Sequence, residues 1–241
     1  MIQEKLTVIE NTQLTGSVYR MRLSGVTNSL RPGQFVNIRL DGLFLRRPIS
    51  VCDFEDGELT LIYKAVGKGT EAMSRLSAGA KLDVLTGLGN GYDLSRAGDE
   101  PVLIGGGVGV PPLYWLAKEL IKQGKNVRVI LGFNTGNEIF YADEFKALGC
   151  GVSVTTADGS FGIKGFVTNA LPERASYFYA CGPEPMLKAV FKATPYSGEM
   201  SFEERMGCGF GACMGCSCKT VTGFKRICRE GPVLKKEEIL W

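Results

Sequence analysis

Between Met206 and Lys219 the chain reads MGCGFGACMGCSCK, four cysteines in fourteen residues, and a fifth follows at Cys228 in a sequence without a single histidine. Cys208, Cys213, Cys216 and Cys228 are spaced C-x4-C-x2-C-x11-C, and the leading gaps follow the plant-type ligand pattern of a [2Fe–2S] cluster. Gly207, Gly209, Gly211 and Gly215 let the backbone wrap tightly and turn amide N–H groups toward sulfur. The rival reading is a structural zinc site, which calls for paired C-x2-C knuckles. Only Cys213 and Cys216 are so spaced, and iron–sulfur is the better fit. Cys218 reads as a non-ligand thiol beside the cluster, with replacement of Cys216 as the alternative. Cys52 and Cys150 read as buried thiols.

Eight cysteines in 241 residues, five of them among the last 34, do not make a disulfide framework in a reducing compartment. The opening stretch MIQEKLTVIE carries Glu4 and Lys5 and lacks the apolar core of an export signal, so the cytoplasm is expected. A formal charge of +3 without a long run of like charges argues against nucleic acid and membrane surfaces as partners. The longest nearly uncharged stretch, 101–117, is broken by glycine and proline and reads as strand, loop and helix start rather than a membrane span. At this length, two domains or two with a small appendage are expected.

Residues 1–97 show short alternating runs (KLTVIENTQL, SVYRMRLSG, GQFVNIRL, GELTLIYKAV, AKLDVLTGLG) broken by turn residues, the pattern of a small antiparallel barrel. The rhythm changes at 99–136, where an apolar strand enters a glycine loop, then a helix, then a strand, which is a βαβ unit. The alternation runs to about Pro195. Beyond it there is little apolar periodicity, so the terminal module depends on a bound centre for its order.

Three further segments carry weaker signals. RRPISV at 46–51 reads as the end of a strand region, where Arg47 suits a phosphate and Ser50 a ring nitrogen, and GKGT at 67–70 allows close backbone approach to a pyrophosphate. VLIGGGVGVPP at 102–112 places Gly105, Gly107 and Gly109 between strand and helix, an arrangement for phosphate at a helix N-terminus. It is not the standard G-x-G-x-x-G fingerprint, because Val110 stands where glycine is needed. YACGPEPM at 179–186 ends a strand at Cys181, on the carboxyl edge where open α/β sheets bind ligands. Taken singly, each segment also reads as an ordinary turn or strand end.

The order RPIS, GKGT, GGGVGVPP, CGPEPM and C-x4-C-x2-C-x11-C resembles the ferredoxin–NADP reductase superfamily with a C-terminal [2Fe–2S] domain. More narrowly, it is similar to the electron-transfer subunits of type B dihydroorotate dehydrogenase, the PyrK family, across essentially the full chain. The resemblance implies an antiparallel FAD-binding β-barrel at 1–97, a parallel-sheet α/β nucleotide-binding domain at 98–197 and a cluster module at 198–241. It implies that Arg47, Pro48, Ile49 and Ser50 hold the isoalloxazine and ribityl side of FAD, and that Ile62, Tyr63, Lys64, Gly69 and Thr70 contact the remainder. Gly106, Gly107 and Gly109 fit the nicotinamide-nucleotide loop, Cys181 and Gly182 face the nicotinamide, and Cys208, Cys213, Cys216 and Cys228 ligate the cluster. GFNTGNEIFY at 132–141 lacks the arginine many relatives carry there, which favours NAD over NADP. Trp241, following the cluster module, is expected to pack rather than stack on flavin.

A nicotinamide exchanges hydride, two electrons together, whereas a [2Fe–2S] centre carries one at a time, and FAD mediates between them. No acid–base pair faces an organic substrate, and the chain has no room for an additional (β/α)8 barrel of about 250 residues. The resemblance therefore implies a separate, FMN-containing PyrD-type catalytic subunit that oxidises dihydroorotate in pyrimidine (UMP) biosynthesis, in a heterotetramer of two of each subunit. Electrons would pass from FMN through the cluster and FAD to NAD⁺. The competing enzyme reading is the FAD/[2Fe–2S] small subunit of an NADH-dependent ferredoxin:NADP oxidoreductase or a sulfide dehydrogenase. Some of those relatives use an aspartate among the cluster ligands, whereas the all-cysteine set with GPVL at 231–234 fits the PyrK family. A redox or iron sensor is a third possibility.

Overall fold

The computed structural model describes residues 1–241. Six strands close into an antiparallel barrel in the order β1-β2-β5-β4-β3-β6. They are β1 (Ile2–Gln13), β2 (Val18–Ser24), β3 (Phe35–Ile38), β4 (Arg47–Glu55), β5 (Glu58–Lys64) and β6 (Lys81–Leu88). A short helix, α1 (Lys68–Ser74), joins β5 to β6. Alternation fills the interior: Leu6 and Val8, Met21 and Leu23, and Leu59, Leu61 and Tyr63 all point into one barrel core, as a period-two pattern requires.

One expectation fails here. RRPISV does not end a strand; Arg47 opens β4. The proline is tolerated because β4 pairs with β3 at this point, Pro48 opposite Asn37, and meets β5 only from Val51 onward. The missing N–H of Pro48 thus faces an unpaired side.

The second layer system is a seven-stranded sheet in the order β10-β9-β8-β7-β11-β12-β15. Its strands are β7 (Val102–Gly106), β8 (Arg128–Phe133), β9 (Gly151–Thr156), β10 (Ile163–Lys164), β11 (Phe178–Cys181), β12 (Gly198–Ser201) and, from the cysteine module, β15 (Val233–Lys235). Helices α2 (Pro111–Lys122), α3 (Ala142–Ala147) and α4 (Glu184–Ala193) make the crossovers. All pairings are parallel except β12 with β15. The sheet therefore continues past Pro195. β12 reads Gly-Glu-Met-Ser and is buried throughout, so it has no apolar alternation to show in the sequence.

The outer faces of β2, β4 and β5 carry Val18, Cys52 and Ile62, which join Leu113, Leu116, Ala117, Phe140 and Tyr141 of the α/β domain in one core. Lys118 of α2 bridges Asp53 (3.0 Å) and Glu55 (2.9 Å) of β4 across that seam. The cysteine module has little core of its own. Its hairpin, β13 (Ser217–Thr220) with β14 (Gly223–Arg226), lies beside Cys216, Ile227, Cys228 and Leu234, which are buried with Phe35 and Leu88 of the barrel and Ile104 and Phe178 of the sheet. Trp241 packs on Phe191 and Phe202, the packing role expected of it. No helix is long and apolar enough to cross a membrane.

Candidate electron-transfer site

The four spaced thiols meet in the fold as two pairs. Cys208 Sγ accepts the N–H groups of Ala212 (3.2 Å) and Cys213 (3.4 Å), while Cys213 Sγ accepts the N–H of Cys208 (3.5 Å). Cys216 Sγ accepts the N–H of Cys228 (3.4 Å). Left-handed glycines at 209 (φ +79°) and 211 (φ +94°) make this wrapping possible, a conformation glycine alone adopts at little cost.

The two pairs differ in environment. Cys216 and Cys228 are buried, whereas Cys208 is half-buried and Cys213 exposed. Burial works against ionisation of Cys208, yet the N–H groups of Phe210, Cys213 and Ala212 outweigh it and bring the thiol down to about 6. For Cys228, burial together with the Cys216 thiol pushes it up to about 12. Holding these buried sulfurs as thiolates would take a cationic metal, and amides aimed at sulfur suit an iron–sulfur centre. Cys218, half-buried on β13, belongs to neither pair.

The flavin-type segments divide by strand parity. Pro48, Ser50, Ile62 and Lys64 share the outward parity of Cys52, which packs against the α/β domain. Ile49 and Tyr63 turn into the barrel, where Tyr63 is 2% exposed and donates its hydroxyl to Asn11 Oδ1 (2.9 Å). Only the backbone of those two faces outward. Arg46 is committed to structure through Asp83 (2.8 Å). Arg47 has no carboxylate partner; its guanidinium lies against Gly69, where a Cβ would sit 2.0 Å from Nε. Thr70 Oγ1 accepts the N–H of Val66 and donates to Gly67 O, closing the turn that presents the first N–H groups of α1 beside Arg47, whose Nη1 bonds the Leu45 carbonyl; together they suit a pyrophosphate.

At the carboxyl edge of the sheet, β7 and β11 are neighbours, with Gly105 opposite Cys181. A Cβ on Gly109 would lie 2.3 Å from the Cys181 carbonyl, and one on Gly182 would meet Met186 and the N–H of Gly106. Bare backbone thus lets the two strand-to-helix loops close on each other. Gly107 (φ +52°) has nothing within 4 Å of its Cβ position and leaves an open cradle at the topological switch point. Burial pushes the Cys181 thiol up to about 12 despite its bond with Ser201, so it stays protonated at neutral pH. Beyond β8, Glu138 accepts the N–H (3.2 Å) and Nδ2–H (3.1 Å) of Asn134, placing a carboxylate in the segment that lacks arginine.

Sequence reasoning missed Asn37, Asn90 and Glu199. Asn37 stands in a four-residue strand that is buried throughout, and a lone amide in such an apolar run was the available signal. Glu199, within Gly-Glu-Met-Ser of β12, carried no such mark.

Comparison with known proteins fits this geometry. A family model described as the iron–sulfur cluster binding domain of dihydroorotate dehydrogenase B matches residues 203–240, and an oxidoreductase NAD-binding domain matches residues 103–192. The dihydroorotate dehydrogenase B (NAD(+)) electron transfer subunit of Geobacillus sp. (strain WCH70) is 44% identical, covering 100% of this chain and 99% of its own. That of Fusobacterium nucleatum is also 44% identical, covering 98% of each. Among solved structures, an NADH-dependent reduced ferredoxin-NADP oxidoreductase studied for flavin-based electron bifurcation superposes with a TM-score of 0.90 at 32% identity, over 98% of this chain and 90% of that one. The ferredoxin reductase of carbazole 1,9a-dioxygenase (TM-score 0.71, 22% identity, 79% and 64% coverage) shares the fold. Aligned from end to end with its relatives, and carrying an iron–sulfur module after an NAD-binding domain, the chain belongs to the family of dihydroorotate dehydrogenase B electron transfer subunits.

Proposed function

We propose that this chain carries electrons between a dihydroorotate-oxidising catalytic partner in the cytoplasm and NAD⁺, and that its own residues hold a [2Fe–2S] cluster and FAD for the purpose. Bound together, the groups supply exchange of single electrons at iron and of electron pairs, as hydride, at the nicotinamide. Cys208 and Cys213 would hold one iron and Cys216 and Cys228 the other. The pairing of the thiols by backbone amides is the observation that carries this reading.

The chain's contribution is to bind, orient and shield. Arg47, without a carboxylate partner, would neutralise the flavin pyrophosphate with the Gly67–Thr70 turn. Pro48, Ser50 and Lys64, together with the backbone of Ile49, Ile62 and Tyr63, would bear on FAD at the outward face of β4 and β5. Gly106, Gly107 and Gly109 would receive the nicotinamide nucleotide, with Cys181 and Gly182 at its edge; the protonated Cys181 offers a small neutral wall that neither attacks nor repels it. Glu138 in place of an arginine disfavours a 2′-phosphate and supports NAD over NADP. Burial of Cys216 and Cys228 against Phe35 and Leu88 turns one side of the thiol group toward the barrel, and exposure of Cys213 turns the other toward an FMN-bearing partner, in a heterotetramer of two of each subunit.

The 32% identity to the bifurcating oxidoreductase supports a second reading, the FAD/[2Fe–2S] small subunit of such an enzyme. The 44% identity to the dihydroorotate dehydrogenase subunits favours the first, and co-purification of a dihydroorotate-oxidising partner separates the two. Replacing Cys213 with serine should abolish NAD⁺ reduction by the complex while FAD stays bound. Normal coupled turnover in that variant, with iron absent, would contradict the wiring.

A further inference from the structure

Two asparagines outside every recognised motif hold the thiol module to the rest of the molecule. Asn90 follows β6, in the segment leading to the α/β domain. Its backbone N–H donates to Gly231 O (2.7 Å), and its Nδ2 donates to Glu230 O (3.1 Å) and Val233 O (2.7 Å). Its Oδ1 accepts the N–H of Val233 (3.1 Å). One residue thereby takes four bonds from the backbone immediately after Cys228. The Glu230 carboxylate pairs with Arg226, which donates to Gly211 O in the loop between Cys208 and Cys213, so the grip extends toward the other thiol pair.

Asn37 holds the opposite end. On β3, opposite Pro48 of the flavin-type strand, it donates Nδ2 to Cys208 O (3.2 Å). It is 1% exposed, and its Oδ1 has no partner. A buried amide that makes one directional bond spends that bond on the thiol loop, since its other polar atom has no protein partner. Gly209 is bare where it meets this amide, since a Cβ there would lie 2.4 Å from Nδ2. The one bond Asn37 makes from its side chain is directional and ends on Cys208.

We infer that Asn37 and Asn90 are positioning residues: they fix the two thiol pairs relative to the flavin-bearing face of the barrel, and so set the electron path between cluster and FAD. This rests on the electron-transfer reading above. Apolar packing of Phe35 and Leu88 brings the module to the barrel, but packing is not directional, whereas five hydrogen bonds from two side chains and one backbone amide define a register.

The test uses the full chain with its cofactors and catalytic partner, comparing wild type with Asn37→Leu, Asn90→Leu and Asn90→Asp, which keeps the acceptor but sets a carboxylate oxygen against the Glu230 and Val233 carbonyls. Rapid mixing with NADH follows flavin bleaching and cluster reduction separately, and hydrogen exchange follows the amides of 207–213 and 228–233. Electron transfer falls off with the separation of the centres, so a cluster held off its register is reduced more slowly. Cluster reduction should accordingly slow by about tenfold in all three variants, with flavin bleaching by NADH unchanged. Exchange should rise at 207–213 in the first variant and at 228–233 in the other two. Cluster reduction within about twofold of wild type and unchanged exchange in all three variants would overturn the inference. So would a lowered melting temperature in Asn37→Leu without slower transfer, the mark of a purely structural residue. Wild-type flavin that NADH does not bleach would instead sink the electron-transfer reading itself.

Discussion

Glu199 shows how one side chain ties the modules together. It is 3% exposed on β12 and accepts the N–H of Asp93 (3.0 Å) from the segment joining barrel to sheet. Burial raises its carboxyl to about 7, against the lowering effect of that N–H. The folded state thus favours the neutral acid, while the unfolded chain titrates near 4.5. The stabilisation is full below about pH 4.5 and is lost as pH climbs through about 7, so the ionised carboxylate costs the fold about 3 kcal/mol in alkaline solution. Glu199→Gln, which keeps the acceptor, should melt higher than wild type at pH 8 and together with it at pH 4.5. Equal melting temperatures at both pH values would refute this assignment. At this scale the sequence showed the four spaced cysteines plainly, because ligand spacing is written in the chain. It did not show Asn37 or Glu199 as special, because their meaning lies in partners 171 and 106 residues away.

Among elements, the facing loops after β7 and β11 show what glycine permits. A methyl group on Gly109 would collide with the Cys181 carbonyl and the Gly182 Cα, which are backbone and cannot swing aside. Gly109→Ala should therefore spread the loops and raise the KM for NADH by about tenfold or more at unchanged flavin content, since cofactor loops tolerate little displacement. An unaltered KM, measured by steady-state dye reduction, would show that the cradle lies elsewhere. The strand–loop–helix order of 102–122 was legible because an apolar run, glycines and a proline-started helix follow one another. β4 was misread at its start because proline normally closes a strand, and only the barrel's register reveals that Pro48 faces an unpaired side. The parity that sends Ile62 outward and Tyr63 inward also depends on which face of β5 the α/β domain covers, and no local pattern records that.

Across the whole molecule, three modules share their cores instead of standing apart. The α/β sheet ends on β15, a strand lent by the thiol module, and Cys216 and Cys228 are buried among residues of both barrel and sheet. The sequence announced the module by its cysteines and its poor apolar periodicity, and the module has little core of its own. It could not announce that the missing core is borrowed, because Phe35 and Ile104 lie far from it in the chain. This shared core gives the account its central claim: thiol pairs, flavin face and nucleotide cradle form one electron path through a single body. The most direct test is the visible absorption spectrum of anaerobically purified protein, with its iron content, before and after NADH. The account predicts two irons per chain, flavin bands over a broad iron–sulfur shoulder, and bleaching of both on addition of NADH. A colourless protein containing zinc, or flavin that NADH bleaches while the iron–sulfur shoulder stays oxidised, would contradict it.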